Sequence, residues 1–266
     1  MGDTRRSDEM VFRRKIGDGD MKHIVMFSGG ASSSYLAKLV IEKYGKENTI
    51  LLHTRVYAEH ISADVFRQKI ADYLGMEITE QAHGMSLWEL IEKNNTLPSH
   101  FIPFCTTELK IKQSRKFYKI LREQNEDFTV HFGYGRDEWR RIQKQMVRLE
   151  SEGIKSEYLI FENKISNEEI KRIIRDEWKI CLPEPYKYLK HNNCIPCFKG
   201  GKGHFYKVAK YYPEEFDRAM YWEEKIGHTV FKDITLREIK EHVKQNAMQV
   251  SLFDDEDAGV PCMCAD

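Results

Sequence analysis

The chain has 266 residues with 42 basic and 42 acidic side chains, so its formal net charge is zero. This balance disfavours a strongly basic nucleic-acid-binding protein, although a local basic patch is compatible with it. Hydrophobic residues make up 41% of the chain, enough for one large domain or one domain with an appendage. No apolar run approaches membrane-spanning length and the first residues lack a signal region, so we expect a cytoplasmic protein without membrane contact.

Short apolar runs alternate with helical patterns in the first part of the chain. Strands are predicted at residues 24–27, 49–54, 76–79, 128–132 and 158–161, with helices between them. This alternation predicts an α/β fold, with a Rossmann-like, mostly parallel sheet and helices on both faces.

From residue 162 onward the pattern is helical and contains cysteines. Ser166 with Glu169 and Thr235 with Glu238 form capping boxes, which predict two helix starts. The pattern predicts four segments: an N-terminal arm at 1–20, a core domain at 21–161, a C-terminal helical region at 162–250 and an acidic tail at 251–266.

A glycine turn separates the first predicted strand from the first predicted helix. Residues 28–34 read Ser-Gly-Gly-Ala-Ser-Ser-Ser. Glycine lets the backbone approach an anion closely, and the N–H groups of a helix's first turn point at that anion. The turn therefore predicts a phosphate site, with a plain glycine turn before a helix as the alternative. The candidate ligands are Ser28, Gly29, Gly30, Ser32 and Ser33.

Other polar residues follow the ends of neighbouring predicted strands. Ligands of open parallel sheets bind at the carboxyl ends of the strands, so Thr54 and residues 133–136 should converge with the glycine turn. Arginine forks suit phosphate or sulfate oxygens, which makes Arg136 and Arg141 candidate anion ligands. A charged, solvated helix start would give the same pattern.

The cysteines predict metal or redox chemistry rather than structural disulfides, given the expected compartment. Cys105 opens a helix predicted at residues 106–124, a position that lowers a thiol pKa, and Thr106 is the predicted cap. Cys194 and Cys197 form a C-x-x-C pair that presents two thiolates to one metal. A half-buried cysteine beside a capping threonine is the alternative for Cys105.

A glycine-rich basic segment follows the C-x-x-C pair at residues 198–204. We predict a flexible loop there. Its Lys199 and Lys202 could hold phosphate or a nucleic-acid backbone, or could simply be solvated.

Four of these segments resemble elements of the phosphoadenosine-phosphosulfate (PAPS) reductase family, in the PP-loop adenine nucleotide alpha-hydrolase superfamily. The glycine turn resembles Ser-Gly-Gly-x-Asp-Ser, with Ser32 at the Asp position. His53-Thr54 followed by Glu59 resembles an Asp-Thr strand end, and residues 104–110 resemble a Cys-Thr-x-x-x-Lys element. Residues 133–141 resemble Gly-x-Arg-x-x-Glu-Ser-x-x-Arg, with the glutamate and second arginine one residue early.

The resemblance covers about residues 22–145 in family order and implies a PP-loop fold that binds an adenine nucleotide. The nucleotide would be adenylylsulfate, phosphoadenylylsulfate or ATP. Thr54 would lie near the adenosine, and Lys110 would face the phosphate or sulfate.

The resemblance also implies a role for the cysteines. Cluster-bearing relatives hold a 4Fe–4S cluster between a cysteine pair and a later C-x-x-C, which here correspond to Cys105, Cys194 and Cys197. The fourth ligand would be Cys181, a tail cysteine or none. Zinc with Cys181 as fourth ligand, or no metal, remains open.

Sulfonucleotide reductases carry their nucleophilic cysteine near the C-terminus, where this chain has Cys262 and Cys264. The leading hypothesis is thiol-dependent reduction of a sulfonucleotide to sulfite by a homo-oligomeric enzyme, with a dithiol such as thioredoxin as reductant. Cys262, Cys264, Lys110 and Arg136 are the candidate catalytic residues. The alternatives are ATP-dependent, adenylating sulfur insertion into nucleic acid and a catalytically degenerate nucleotide-binding module.

Overall fold

A computed structural model describes residues 21–245, and the α/β fold predicted from the sequence is confirmed. Five strands form one parallel sheet in the order β3-β2-β1-β4-β5. Their bounds are β1 Lys22–Met26, β2 Thr49–Arg55, β3 Ile78–Ala82, β4 Phe128–His131 and β5 Lys155–Glu157. The predictions for the N-terminal arm and for the tail, with Cys262 and Cys264, lie outside the described residues.

Helices connect the strands and form most of the chain after β5. The first six are α1 Ala31–Tyr44, α2 Ile61–Leu74, α3 Leu87–Asn94, α4 Phe104–Thr106, α5 Lys112–Glu123 and α6 Trp139–Ser151. The others are α7 Leu159–Asn163, α8 Asn167–Arg172, α9 Lys202–Tyr211, α10 Pro213–Ile226 and α11 Leu236–Gln245. A π-helical turn at Thr107–Ile111 joins α4 to α5. None of the helices within residues 21–245 combines the length and apolar character needed to cross a bilayer.

Apolar layers cover both faces of the sheet. Val25 and Phe27 pack with α1, α2, α7 and α8, whereas Ile24 and Met26 pack with α5 and α6 on the other face. Side chains alternate across a strand, and a parallel sheet with helices on both faces buries both sets. The run from Ile24 to Phe27 is therefore continuously apolar and buried.

A third apolar cluster joins α3 to the C-terminal helices. Phe205 of α9, Phe216 of α10 and Leu236 of α11 are buried there with Trp88 of α3. The cluster also contains Ile195 and Phe198, so the segment with the C-x-x-C pair is packed on this helical layer.

The strand predicted at residues 158–161 is wrong. The fifth strand is β5 at Lys155–Glu157, and α7 begins at Leu159. Tyr158 stacks with Phe132 and Tyr134, while Leu159 and Ile160 are buried from a helical turn. A four-residue apolar run has no periodicity that separates a strand from a buried helix turn. The third strand also starts two residues later than predicted.

The helix starts confirm two predicted caps and correct a third. The Ser166 hydroxyl accepts from the Glu169 N–H at 3.1 Å, and the Thr235 hydroxyl accepts from the Glu238 N–H at 3.2 Å. Thr106 is not a cap, because α4 begins at Phe104 and Thr106 has helical backbone angles. Pro103 precedes the first helical residue, and the helix starts at Phe104, two residues before the predicted start at residue 106.

Candidate functional site

The predicted convergence of strand ends is present at the centre of the sheet. β1 and β4 are neighbours whose connections leave in opposite directions, and ligands of open α/β sheets bind at such a switch point. A Cβ at Gly133 would lie 3.1 Å from the backbone nitrogen of Ser33, so glycine lets the exit of β4 contact the start of α1. Asn167 lies beside Gly135 and accepts from the Ser32 hydroxyl at 2.8 Å.

The glycine turn has a conformation that requires glycine at position 29. Its φ is +81°, and a Cβ there would lie 2.6 Å from side-chain atoms of Arg67. The hydroxyls of Ser33 and Ser34 donate to the Gly30 carbonyl at 3.0 and 2.9 Å, and the Ser28 hydroxyl donates to that of Ser33 at 3.2 Å. These serines therefore stabilise the turn itself.

The N-terminus of α1 has one amide engaged by a residue that sequence reasoning missed. The Ala31 N–H donates to the hydroxyl of Tyr186 at 3.1 Å. The N–H groups of Ser32 and Ser33 follow in the first turn, where helix geometry provides no intrahelical acceptor. An anion bound at this helix would therefore interact with the second and third amides and the positive end of the helix dipole.

Arg67 is a second residue that the sequence did not reveal. Its guanidinium is 3% exposed and donates to the Ser28 carbonyl at 3.2 Å and to Glu59 at 2.8 Å. It also pairs with Asp64. The charge of Arg67 is thus balanced by Glu59 and Asp64, and its hydrogen bond to the Ser28 carbonyl stabilises the turn. In the sequence it is one polar residue of an amphipathic helix, so no motif marks it.

His53 lies near the end of β2, beside the turn, and is neutral. Its Nδ1 lies 3.1 Å from the Phe27 carbonyl, which can only accept, so Nδ1 carries the hydrogen. Burial, with the positive charge of Arg67, lowers the pKa of His53 to about 3. Its Nε2 is buried and has no hydrogen-bond partner among residues 21–245. Thr54, the predicted adenosine neighbour, is buried next to it.

Asn192 connects the cysteine segment to the glycine turn. Its side chain is 8% exposed, and Nδ2 donates to the Gly29 carbonyl at 2.9 Å. Two residues later, Cys194 forms an antiparallel bridge with Glu59, and the Ile195 N–H donates to the Ala58 carbonyl at 2.9 Å. The cysteine segment therefore lies against both the glycine turn and the chain after β2.

Cys105, Cys194 and Cys197 line one small cavity of about 20 Å³. Lys110, Thr106 and Lys199 also line it, together with apolar groups that include Val56, Leu87, Pro98, Pro196 and Phe198. None of these lining residues is acidic. The cavity thus brings three thiols and two lysines together in largely apolar surroundings.

Both cavity lysines are buried. Lys110 is 6% exposed on the π-helical turn, a feature that often marks functional positions. Lys199 is 3% exposed, and its Nζ donates to the Thr106 hydroxyl at 2.6 Å. The prediction of a flexible basic loop is therefore wrong at Lys199, which points inward. Lys202 pairs with Asp233 at the start of α9.

The donor set of the cavity matches soft metals and iron–sulfur clusters, which prefer thiolate ligands. As the side chains stand, no three His, Cys, Asp or Glu residues within 21–245 form a group that could hold a metal ion. Cys181 is exposed and is not among the residues that line the cavity. A shared metal therefore requires the three cavity thiols to turn toward one another.

The two predicted arginines lie on opposite sides of Glu138. Arg136 is exposed next to Gly135. Arg141 pairs with Glu138, and its guanidinium carbon lies 4.6 Å from the ring centre of Tyr134. Arg136 is therefore the more accessible of the two arginines.

No model of a known protein family matches the chain, and no curated protein matches it significantly.

Proposed function

We propose that this protein binds an adenine nucleotide at the glycine turn and carries out sulfur chemistry at the adjacent cysteine cavity. The observation that carries the proposal is the hydrogen bond from Asn192 to the Gly29 carbonyl. It joins a phosphate-binding turn to a segment that bears two cavity thiols. A reaction between a nucleotide's sulfate and a thiol needs such an arrangement.

The charges around the site support an anionic ligand. In this proposal the nucleotide phosphate binds the first turn of α1, and Lys110 and Arg136 balance its remaining charge. Lys110 lines the cavity, and Arg136 is exposed after β4. The sulfate end of a sulfonucleotide would then point toward the thiols.

The leading reaction is reduction of a sulfonucleotide to sulfite. A cysteine thiolate attacks the sulfur of the sulfate, a sulfur–sulfur bond forms, and the sulfur–oxygen bond to the phosphate breaks to release the nucleotide. A dithiol protein then attacks the resulting thiosulfonate, releases sulfite and becomes a disulfide. Cys262 or Cys264 is the proposed nucleophile.

An iron–sulfur cluster on Cys105, Cys194 and Cys197 belongs to the proposal because soft sulfur donors share the cavity. When bound, such a cluster would supply iron as a Lewis acid or electron carrier beside the substrate. Three protein ligands would leave one iron position open, and this favours sulfur transfer from a bound sulfide as the second candidate function.

An anaerobic turnover assay tests the proposal. The protein is offered adenylylsulfate, phosphoadenylylsulfate or ATP with a dithiol, and sulfite and pyrophosphate are measured. Sulfite from a sulfonucleotide supports the reductase. Pyrophosphate from ATP without sulfite would favour adenylating sulfur insertion. Nucleotide binding without either product would favour a degenerate binding module.

Metal content is tested separately on protein purified without oxygen. Iron, sulfide and zinc are quantified in wild type and in Cys105→Ser, Cys194→Ser and Cys197→Ser variants, with Cys181→Ser as the matched control. Loss of iron in the three cavity variants and retention in the control supports the cluster. If wild type contains zinc and no iron, and the three cavity variants lose that zinc, the site is a zinc site instead of a cluster. If wild type contains no metal, the cluster is excluded from the proposal.

A further inference from the structure

One stretch of the chain concentrates positive charge, although the formal net charge of the protein is zero. Residues 185–213 contain six lysines and two histidines and have no Asp or Glu, and glutamates stand directly outside the stretch on both sides. Lys187, Lys190 and Lys210 are exposed, and none of them forms an ion pair with another residue within 21–245. These three charges are therefore available to an anionic partner.

Ring stacking brings the exposed lysines onto one surface. Tyr188 and Tyr211 stack with their ring centres 4.0 Å apart and an interplanar angle of 11°. The two tyrosines are 37% and 38% exposed. Lys187 precedes Tyr188 in the chain, and the Nζ of Lys210 lies 5.2 Å from the ring centre of Tyr211. These four residues and Lys190 form the tyrosine–lysine surface.

The tyrosine–lysine surface borders the candidate site, because the glycine turn holds both ends of its first segment. At one end the Tyr186 hydroxyl accepts from the Ala31 N–H at 3.1 Å. At the other end Asn192 donates to the Gly29 carbonyl at 2.9 Å. Residues 187–191, between these two anchors, are exposed apart from one buried leucine. A ligand bound along them lies beside the turn, and the cysteine pair begins two residues after the second anchor.

Single-stranded nucleic acid has the chemistry that this surface matches. Its phosphates pair with lysine ammonium groups, and its bases stack on aromatic side chains. An acidic peptide offers negative charge without a base to stack, and a duplex keeps its bases stacked inside. Exposed, stacked tyrosines among lysines therefore favour a single strand over both.

We propose that the tyrosine–lysine surface binds single-stranded nucleic acid, with phosphates on the lysines and a base on the tyrosine pair. The inference goes beyond the proposed function, because this binding requires neither a nucleotide at the turn nor a metal in the cavity. It supplies the partner that the second candidate function needs, since sulfur insertion into nucleic acid requires the acceptor strand beside the site.

Fluorescence anisotropy with labelled oligonucleotides tests the inference on the full-length protein without added nucleotide. The probes are single strands of about 12 deoxythymidines or uridines and a base-paired duplex of the same length. The single strands should bind more tightly than the duplex, and the better of the two identifies DNA or RNA as the partner. A plot of log binding constant against log salt concentration should have a slope of about −2 for three lysine contacts.

Substitutions on the surface separate charge from stacking. Lys187→Met, Lys190→Met and Lys210→Met should each make the salt slope shallower by about 0.7. Tyr188→Ala and Tyr211→Ala should each weaken binding about tenfold and leave the slope unchanged. A merely structural role of the tyrosines would lower thermal stability without this selective loss of affinity.

Two matched controls lie elsewhere on the protein. Lys155→Met removes an exposed lysine from β5, at the edge of the sheet. Tyr73→Ala removes a tyrosine that is 49% exposed and stacks on Trp178. Both controls should bind the single strand with wild-type affinity and salt slope.

The outcomes that overturn the inference do not depend on the turnover assay. Absence of binding, equal affinity for single strand and duplex, or unchanged affinity in all five surface variants would each overturn it. A synthetic peptide with the sequence of residues 251–266 serves as an acidic competitor. If this peptide binds the surface more tightly than either single strand, the surface belongs to the acidic tail instead. Sulfite and pyrophosphate release are scored separately, so the proposed function stands or falls on its own.

Discussion

Lys199 donates a hydrogen bond of 2.6 Å to the hydroxyl of Thr106 across 93 positions of sequence. Thr106 follows Cys105, and Lys199 comes two residues after Cys197. The bond therefore joins the two segments that bring thiols to the cavity. Lys199 is 3% exposed, so its charge is little screened by water.

Removal of the Lys199 charge should make the cavity thiols less acidic. A nearby ammonium favours thiolate, so Lys199→Met should raise the apparent pKa for alkylation of the cavity cysteines by about 1. The measurement is the rate of iodoacetamide labelling against pH, resolved by mass spectrometry on metal-free, reduced protein. Lys202→Met removes a more exposed charge paired with Asp233 and should leave the profile unchanged. Equal profiles for both variants would contradict an electrostatic role.

Loss of Arg67 should destabilise the fold through the charge it leaves behind. Arg67→Ala strands Glu59, which is 10% exposed, and a broken buried pair costs about 3 kcal/mol or more. Urea denaturation should therefore show a large drop in the free energy of unfolding. Arg172→Ala breaks an exposed pair with Glu177 and should change stability little. Arg67→Ala stability close to that of this control would show that Arg67 does not support the turn.

Two glycine substitutions separate backbone strain from a clash at the turn. Gly29 and Gly84 both have positive φ, +81° and +91°, but only at Gly29 would a Cβ meet other atoms, those of Arg67. Gly84→Ala should cost about 1 kcal/mol from backbone strain alone. Gly29→Ala should cost at least about 1 kcal/mol more and should abolish nucleotide binding. Similar unfolding free energies for both variants would contradict the close approach of Arg67.

Stability should fall in mild acid because of a buried histidine pair. His23 and His131 lie 3.0 Å apart, and burial lowers the pKa of His131 to about 4 from its ordinary 6.5. Between these values the unfolded chain binds more protons than the folded chain. The free energy of unfolding should therefore decrease as the pH falls from 6.5 to 4, by up to about 3 kcal/mol for His131.

His131→Gln tests the origin of this acid sensitivity. Urea midpoints measured from pH 4 to 7 should show a shallower dependence in the variant than in wild type. His228→Gln removes an exposed histidine and should retain the wild-type slope. An unchanged slope in His131→Gln would assign the acid sensitivity to other groups.

The sequence predicted the parts of the fold that have strong local signals. β1, the turn and α1 follow from an apolar run, two glycines and a helical pattern, and the helix starts at Ser166 and Thr235 follow from their capping boxes. These features depend on residues close together in the chain, so they can be predicted without knowledge of tertiary contacts. The short apolar run at 158–161 carried no such signal and formed a helix turn.

The sequence predicted only part of the candidate site. Cys105, Cys194 and Cys197 are conspicuous by type and spacing, and the cavity contains all three. Arg67 and Tyr186 were not found, because their roles come from contacts across 39 and 155 positions. The basic segment after Cys197 was predicted to be a flexible loop, yet Lys199 is buried in the lining of the cavity and donates to the Thr106 hydroxyl.

Local chemistry was enough to predict an α/β chain with a glycine turn after its first strand and a cysteine pair. Only the folded chain shows which groups are buried, which charges are paired and which way each polar atom points. Whether a lysine is solvated or buried, and whether a histidine donates or accepts, depends on neighbours distant in sequence. His53 and Asn192 illustrate the reason, because the donor role of each side chain follows only from the packing that places its N–H on the backbone carbonyl of Phe27 or Gly29.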